Sequence, residues 1–240
     1  MSATPPLQID QLTCCYGATP VIDHLSFTLE AGEILGIAGA EGAGISTLLK
    51  AVLLLVAPNS GRVLIFAKPH ELASSRSQLA YLPEEINVPG HLTGYDVVNM
   101  TRTVHGEVKA KSSIDDLARR LDLPEKRLIH PTRDCTKADS QKLGLIALLS
   151  MERPILLLDQ PMTHIGPEAK AGLTDCLRTY VTKGGAVLLG SHRQDDHQGV
   201  SDRLITLEEG KMVTMATSGK KDDLAPSSPR RQDDIISPTG

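Results

Sequence analysis

The feature that most constrains this chain is a glycine-rich loop between an apolar run and a helical pattern. The apolar run Glu33–Ala38 is typical of a buried parallel strand. The residues Ser46–Leu54 predict a helix. Between them, Gly39–Thr47 fits the phosphate-binding pattern G-x-x-x-x-G-K-S/T at every fixed position except one. Strand, loop and helix in this order predict an α/β fold with a phosphate site at the end of the strand.

The exception is Ile45, which stands where the pattern requires a lysine. Backbone N–H groups near Gly39, Gly42 and Gly44 remain able to surround a phosphate, and Ser46 supplies the hydroxyl that holds Mg²⁺. The positive charge that pairs with the β- and γ-phosphates is absent. Three interpretations stay open from the loop alone: a working NTPase, a nucleotide binder without turnover, and a fold retained after loss of its chemistry.

Further apolar runs extend the α/β pattern and end in polar groups. Asp159 ends the run Pro154–Asp159, and His192 ends the run Ala186–His192. Open α/β sheets bind ligands at the carboxyl ends of their strands, so we expect both groups beside the loop. Other strands are predicted at 7–13, 21–29, 62–66 and 79–83, a hairpin at 203–213, and helices within 92–151 (one of them at about 140–151) and at 168–183.

These patterns predict one nucleotide-binding domain over residues 1–217. A helical subdomain is expected as an insertion at about 88–150. After about residue 218 the chain turns to Ser, Pro, Lys, Arg and Asp, which predicts a flexible C-terminal tail over 218–240.

Composition limits the classes of function. The net charge is −4 and aromatic residues make up 2% of the chain, which argues against nucleic acid as a partner. The 4 Cys show no CxxC spacing, so zinc is not indicated and reduced thiols of a cytosolic protein are favoured. The sequence has neither a signal-peptide pattern nor an apolar run of about 20 residues, so we expect membrane attachment only through a partner.

In their order and spacing, the motifs resemble those of the ATP-binding subunit of an ABC transporter, over roughly residues 7–215. The segments Tyr81–Glu85 and Gln141–Leu145 are most similar to the efflux-type branch. The resemblance implies a P-loop NTPase fold of the ABC ATPase type, with a mixed core sheet, N-terminal antiparallel strands and an inserted helical subdomain. It implies ATP and Mg²⁺ as cofactors. It also implies an integral membrane permease as partner, a second ATP-binding subunit in a dimer, and a cytoplasmic location at the inner face of the cell membrane.

The resemblance assigns roles to individual residues. Tyr16 matches the aromatic residue that stacks on adenine, although an ordinary tyrosine at a strand end fits equally well. His192 matches the histidine that contacts the γ-phosphate, and Glu84 replaces the glutamine of the loop that senses this phosphate and touches the membrane partner. The implied nucleotide-binding set is Tyr16, Gly39, Gly42, Gly44, Ile45, Ser46, Thr47, Glu84 and Asp159, with Ser46 and Asp159 as Mg²⁺ ligands.

Several positions depart from the family pattern. Gln160 occupies the place of the glutamate that polarises the attacking water, and an amide has no useful basicity. Gly166 replaces the aspartate that couples the two sites of a dimer. The signature Leu-Ser-Gly-Gly-Gln, which faces the partner's γ-phosphate, aligns with Cys135–Asp139 and lacks both glycines, so a solvated helix start is the plainer interpretation. The signature positions are Thr136, Lys137, Ala138 and Asp139.

The departures fall in separate motifs, whereas the core strands remain aliphatic. This pattern favours a degenerate ATP-binding subunit of an ABC-type efflux transporter, with weak ATP binding and little or no hydrolysis, acting with a permease and a more active ATPase subunit. Two alternatives stay open. One is an active transport ATPase in which Lys50 or Lys137 replaces the missing lysine, and the other is a non-transport scaffold or regulatory module that uses the fold to bind a protein.

Overall fold

The computed structural model describes residues 4–104, 114–151 and 153–217. In chain order, its strands are β1 Leu7–Tyr16, β2 Thr19–Leu29, β3 Ile34–Ala38, β4 Ser60–Ile65, β5 Lys68–Pro69, β6 Leu79–Leu82, β7 Ile155–Asp159, β8 Ala186–Ser191, β9 Arg203–Glu208 and β10 Lys211–Thr217. The helices are α1 Ile45–Val52, α2 Ala73–Arg76, α3 Gly94–Val104, α4 Ile114–Arg120, α5 Lys126–Ile129, α6 Lys137–Leu149 and α7 Pro167–Thr182. Short 3₁₀ turns occur at Thr132–Asp134 and Gln194–His197.

The described strands form two sheets. The larger has the order β10-β9-β3-β8-β7-β6, parallel throughout except for the β9–β10 hairpin. The smaller has the order β2-β1-β4-β5 and is antiparallel. Strand β3 therefore lies inside the larger sheet, between β8 and β9, and the carboxyl ends of β3, β7 and β8 lie along one edge.

Both faces of the larger sheet are covered, which explains its continuous apolar strands. On one face, Leu35, Leu157 and Leu188 pack with α1 and the antiparallel sheet. On the other face, Leu156 and Leu189 pack with the helices of the insertion and with α7. Side chains alternate between faces along a strand, so burial of both faces demands apolar residues at every position.

The predicted strands and the hairpin are confirmed, with shifts at their ends. The helix predicted at 140–151 is wrong at its start, because α6 already begins at Lys137, where Thr136 and Asp139 cap it. Two short elements, β5 and α2, have no counterpart in the prediction. Helices α3 to α6 lie between β6 and β7, where the helical insertion is predicted. The predicted flexible tail, 218–240, lies outside the described residues, and the domain boundaries stay predictions.

Within the described ranges, none of the helices combines the length and the apolar content needed to cross a membrane.

Candidate functional site

The glycine-rich loop connects β3 to α1, as predicted. Gly44 precedes the first helical residue and has a φ of +100°, a conformation that L side chains rarely adopt. A Cβ atom at Gly44 would lie 2.5 Å from the carbonyl oxygen of Val21, and one at Gly39 would lie 2.7 Å from that of Leu207. Backbone conformation and close neighbours thus require glycine at these positions. The loop places its N–H groups at the N-terminus of α1, where the helix dipole favours an anion.

Ile45 is the first residue of α1, and its side chain is only 1% exposed. It packs in the core against β8, where a Cβ atom at Gly190 would lie 2.5 Å from Ile45 Cγ2. Gly190 therefore provides the room for the β-branched side chain. The residue at the lysine position stabilises the junction between α1 and the sheet, and it offers no charge to a phosphate.

Asp159 ends β7 and lies beside α1. Its side chain is 2% exposed, and its Oδ2 accepts a hydrogen bond from Tyr81 Oη at 3.4 Å. Burial raises the pKa of the Asp159 carboxyl, with a contribution from the charge of Glu84, whereas hydrogen bonding by Ser46 lowers it. Burial also raises the pKa of Tyr81, with the nearby Asp159 charge as the second cause. Ser46 is therefore close enough to influence the Asp159 carboxyl, and their role as Mg²⁺ ligands stays a prediction.

These residues fit a bound Mg²⁺. Among the described side chains, Asp159 Oδ1 is buried without a hydrogen-bond partner. A carboxylate oxygen and a hydroxyl are ligands that Mg²⁺ accepts, and the ion takes its remaining ligands from water and nucleotide phosphates. No group of three or more His, Cys, Asp or Glu side chains in the described parts of the chain could hold a metal.

Gln160 follows Asp159 with a φ of +53° and a side chain that is 3% exposed. Its Oε1 accepts a hydrogen bond from the backbone N–H of His192 at 3.3 Å and lies 3.4 Å from Ser191 Oγ. Because the His192 N–H must face an acceptor, the amide nitrogen points the other way. This Nε2 is buried, with no partner among the residues described. The Nε2 donor of Gln160 therefore lies on the side of the amide that faces away from His192.

His192 is placed beside the glycine-rich loop. Its Nδ1 lies 3.2 Å from the carbonyl oxygen of Gly39, which requires the proton on Nδ1. Ser191, which precedes it, donates to Asp196 Oδ2 at 2.9 Å, and Lys170 pairs with Asp196 Oδ1 at 2.9 Å. This network, in which Ser191 and Asp196 are buried, holds the end of β8 next to Gln160. The pair Ser191-His192 is its sequence signal, whereas Asp196 and Lys170 are not singled out by any motif.

The signature segment forms the start of α6. Thr136 caps the helix, because its Oγ1 accepts from the N–H of Asp139 at 3.1 Å while Asp139 Oδ2 accepts from the N–H of Thr136 at 2.9 Å. Arg127 Nε lies 3.1 Å from the same Asp139 oxygen. The chain's own carboxylate thus stands at the positive end of α6. Lys137 is exposed and lines a cavity of about 520 Å³ shared with Glu84.

The structure brings most of the predicted site together, at the edge formed by β3, β7 and β8. Gln141 on α6 reaches the carbonyl oxygen of Gln160 at 3.4 Å, which connects the signature helix to this edge. Tyr16 lies at the end of β1 with 57% of its surface exposed, and no described contact joins it to the loop. Glu84 is exposed, and its negative charge contributes to the raised pKa of the Asp159 carboxyl. Sequence reasoning missed Tyr81 on β6, which donates to Asp159, and Gly190 on β8, which leaves room for Ile45.

A second, more apolar groove of about 790 Å³ lies beside the Glu84 loop. Its wall includes Ile86 and Val88 from the segment after β6, and Met100 and Val104 from α3. Val104 is 75% exposed. An apolar surface of this kind is typical of a docking site for another protein.

The amino-acid sequence of this chain is similar to sequences of known proteins. A family model described as ABC transporter matches residues 22–163. The Nod factor export ATP-binding protein I of Rhizobium meliloti (strain 1021) is 30% identical over 221 residues, which cover 88% of this chain and 64% of that protein. The arginine transport ATP-binding protein ArtM of Bacillus subtilis (strain 168) is 25% identical, over 95% of this chain and 97% of its own.

Solved structures show the same fold. A structure of an ATP-binding subunit of an ABC transporter superposes with a TM-score of 0.81 at 24% identity, covering 88% of this chain and 90% of its own. A dimeric ATP-binding cassette bound to ADP and phosphate gives a TM-score of 0.77 at 18% identity, over 88% and 98%. The chain spans only 64% of the length of the Nod factor export relatives. The ABC ATPase type of P-loop fold is therefore confirmed, and the chain belongs to the ABC transporter family as an ATP-binding domain. ATPase domains of this family bind ATP and Mg²⁺.

Proposed function

We propose that this chain is a degenerate ATP-binding subunit of an ABC-type efflux transporter. It binds ATP weakly with Mg²⁺ and hydrolyses little or none of it. Its role is then to hold a transporter assembly together, while a partner subunit performs most of the hydrolysis.

The orientation of Gln160 is the observation that carries this proposal. Gln160 stands where the family pattern has the general base. Its amide oxygen accepts from the N–H of His192 at 3.3 Å, so the side chain offers its Nε2 donor to water rather than an acceptor. An amide oxygen takes no proton from water at neutral pH, and general-base catalysis is worth about 10²–10⁴-fold in rate. Ile45 removes the phosphate-pairing charge as well, so binding and turnover are both expected to fall.

The remaining groups support nucleotide binding. The loop N–H groups, the Ser46 hydroxyl and Asp159 Oδ1, which has no hydrogen-bond partner among the described residues, fit phosphates and Mg²⁺. The Gln160 Nε2 donor adds a neutral hydrogen bond that a phosphate oxygen would satisfy. A nucleotide held by these groups without a base would remain bound in its unhydrolysed form.

An integral membrane permease is the partner we infer for the groove beside Glu84. The groove is largely apolar and includes exposed residues such as Met100 and Val104, which suits a helix at a membrane surface. The chain would then sit at the cytoplasmic face of the membrane. Export is favoured because relatives include Nod factor export proteins and a probable multidrug transporter protein, YbhF, although an arginine transport protein also matches.

A dimer with a second, better-preserved ATP-binding subunit completes the proposal. At the start of α6, Asp139 supplies the carboxylate that caps the helix, and Lys137 and Ala138 replace glycines. This end of α6 is thus poorly suited to bind a partner's γ-phosphate through its backbone. A homodimer would contain two impaired sites, so we expect a heterodimer.

The direct test measures the Mg-ATPase rate and nucleotide affinity of the chain with its permease. We expect a rate near background in wild type and a large gain in the double variant Ile45→Lys/Gln160→Glu. A rate in the usual family range that Gln160→Ala abolishes would refute the proposal. A pull-down that recovers no integral membrane protein would favour the scaffold alternative.

An active transport ATPase is the second candidate, and one observation favours it. Lys50 lies four residues after Ser46, on the same face of α1. The positive charge of Lys50 lowers the pKa of the Asp159 carboxyl, against the larger effect of burial. If Lys50 replaces the missing lysine, Lys50→Gln abolishes hydrolysis, and the double restoration at positions 45 and 160 changes an already high rate only slightly.

A further inference from the structure

A separate cavity of about 390 Å³ lies at the opposite end of β7 and β8 from the nucleotide residues. Its wall includes Pro154, which precedes β7, and Gly185, which precedes β8. The strands have 5 and 6 residues, so the cavity lies about 17 Å from their carboxyl ends. It is therefore distinct from the phosphate site.

Cationic side chains from separate elements converge on this cavity. Of the described residues in its lining, Arg120 ends α4, Arg153 precedes β7 and Lys183 follows α7, whereas Asp116 is the carboxylate. Asp116 already pairs with Arg120 Nε at 3.1 Å and with Arg119 at 3.3 Å. Among the described residues of the lining, cationic side chains therefore outnumber carboxylates, and like charges brought together favour an anion between them.

The rest of the wall is apolar and contains a buried thiol. Leu117, Leu149 and the ring of Tyr180 supply flat or aliphatic surface. Cys176 is 6% exposed and interacts with the Arg120 guanidinium. Burial raises the pKa of the Cys176 thiol in spite of this arginine, so the thiol stays protonated and does not neutralise the cations.

We propose that this cavity binds a small anion with a ring-sized apolar body, the anionic group held by Arg120 and Lys183 and the body against Leu117 and Tyr180. The volume lies in the range of about 300–1,000 Å³ found for small-molecule sites, at its lower end, which suits one ring with a phosphate or carboxylate group. Two or more cations around one anionic group give charge-assisted hydrogen bonds, the stronger kind.

Such a ligand would bridge two parts of the fold. Arg120 belongs to α4 in the helical insertion, whereas Lys183 follows α7 of the sheet-bearing part. The two helices already approach closely, since a Cβ atom at Gly172 on α7 would overlap the carbonyl oxygen of Arg120. The bound anion therefore stabilises the docking of α4 on α7.

The experiment uses the full chain with Cys15→Ser and Cys135→Ser. Cys14 is fully buried, whereas Cys176 lines the cavity and keeps 6% of its surface exposed, so Cys176 becomes the thiol that reports on the cavity. The rate of Cys176 modification by N-ethylmaleimide is measured with increasing phenyl phosphate, with benzoate, and with uncharged phenol. Phenyl phosphate or benzoate at about ten times its Kd should slow modification about tenfold, because about nine-tenths of the sites are then filled. Phenol should give no protection, and phosphate binding at the glycine-rich loop would leave Cys176 reactive.

Lys183→Gln is the main variant, since Lys183 is exposed and its replacement leaves the packing intact. We expect a Kd about tenfold weaker, the effect of one charge-assisted contact. Lys68→Gln, at an exposed lysine on β5, is the matched control and should leave the Kd unchanged. Absence of protection by both anions, equal protection by phenol, or equal weakening in the two variants would overturn the proposal.

Discussion

Replacement of Ile45 by lysine tests whether the missing charge controls nucleotide affinity. A lysine that contacts phosphate oxygens forms charge-assisted hydrogen bonds worth about 1.5–3 kcal/mol, which corresponds to about 10- to 150-fold in Kd. The unbranched stem of lysine has no Cγ2, so it removes the contact that depends on Gly190. Loss of this packed methyl should cost about 1 kcal/mol in the free energy of unfolding.

The assay is titration of a fluorescent ATP analogue, once with Mg²⁺ and once with EDTA. Without the lysine, Mg²⁺ is the cation expected to neutralise the phosphates, so wild-type binding should need the metal. Ile45→Lys should tighten binding in both conditions and should restore measurable binding in EDTA.

Ile45→Met is the matched control, since it is unbranched and neutral. It separates the effect of charge from the effect of shape at the α1–β8 contact. If Ile45→Lys binds no tighter than Ile45→Met while both variants unfold at similar temperatures, the reasoning from lost charge is refuted.

Three further predictions concern stability. Gly190→Ala should lower the free energy of unfolding by about 1–3 kcal/mol, because the new Cβ would lie 2.5 Å from Ile45 Cγ2. This loss of stability should be smaller when Ile45→Met is also present. An equal loss with and without Ile45→Met would contradict this contact. Asp139→Ala should cost about 1–2 kcal/mol in chemical denaturation, since it removes the α6 cap and the partner of Arg127, whereas Asp139→Asn, which keeps an acceptor, should cost less. Burial lowers the pKa of His197 from its ordinary 6.5, so the unfolded chain binds the proton more readily. The stability that this pKa difference contributes is present above pH 6.5 and is lost as the pH falls towards the folded-state pKa. The Tm of His197→Asn should therefore drop less than that of the wild type between neutral and acid pH. An unchanged drop in Tm would exclude His197 as the source of this pH dependence.

Much of the candidate site could be predicted because its residues lie next to strand ends in the sequence. The loop, Asp159 and His192 each follow an apolar run, and parallel pairing of β3, β8 and β7 brings these ends to one edge. The start of α6 could not be placed from its apolar pattern. It depends on the reciprocal bonds between Thr136 and Asp139, a cap that uses Asp in place of the usual Glu or Gln.

The sequence by itself determined the order of strand, glycine-rich loop and helix. It also determined that Ile45 and Gln160 occupy positions where the family pattern has a lysine and a glutamate. These are properties of side-chain identity and local spacing. Only the tertiary structure decided that Ile45 packs against Gly190 and that the N–H of His192 orients the Gln160 amide. Only the tertiary structure also placed cationic residues from separate elements around one cavity at the amino ends of β7 and β8. Each of these depends on residues distant in sequence that become neighbours only when the parallel strands pair, and no local pattern records such a contact.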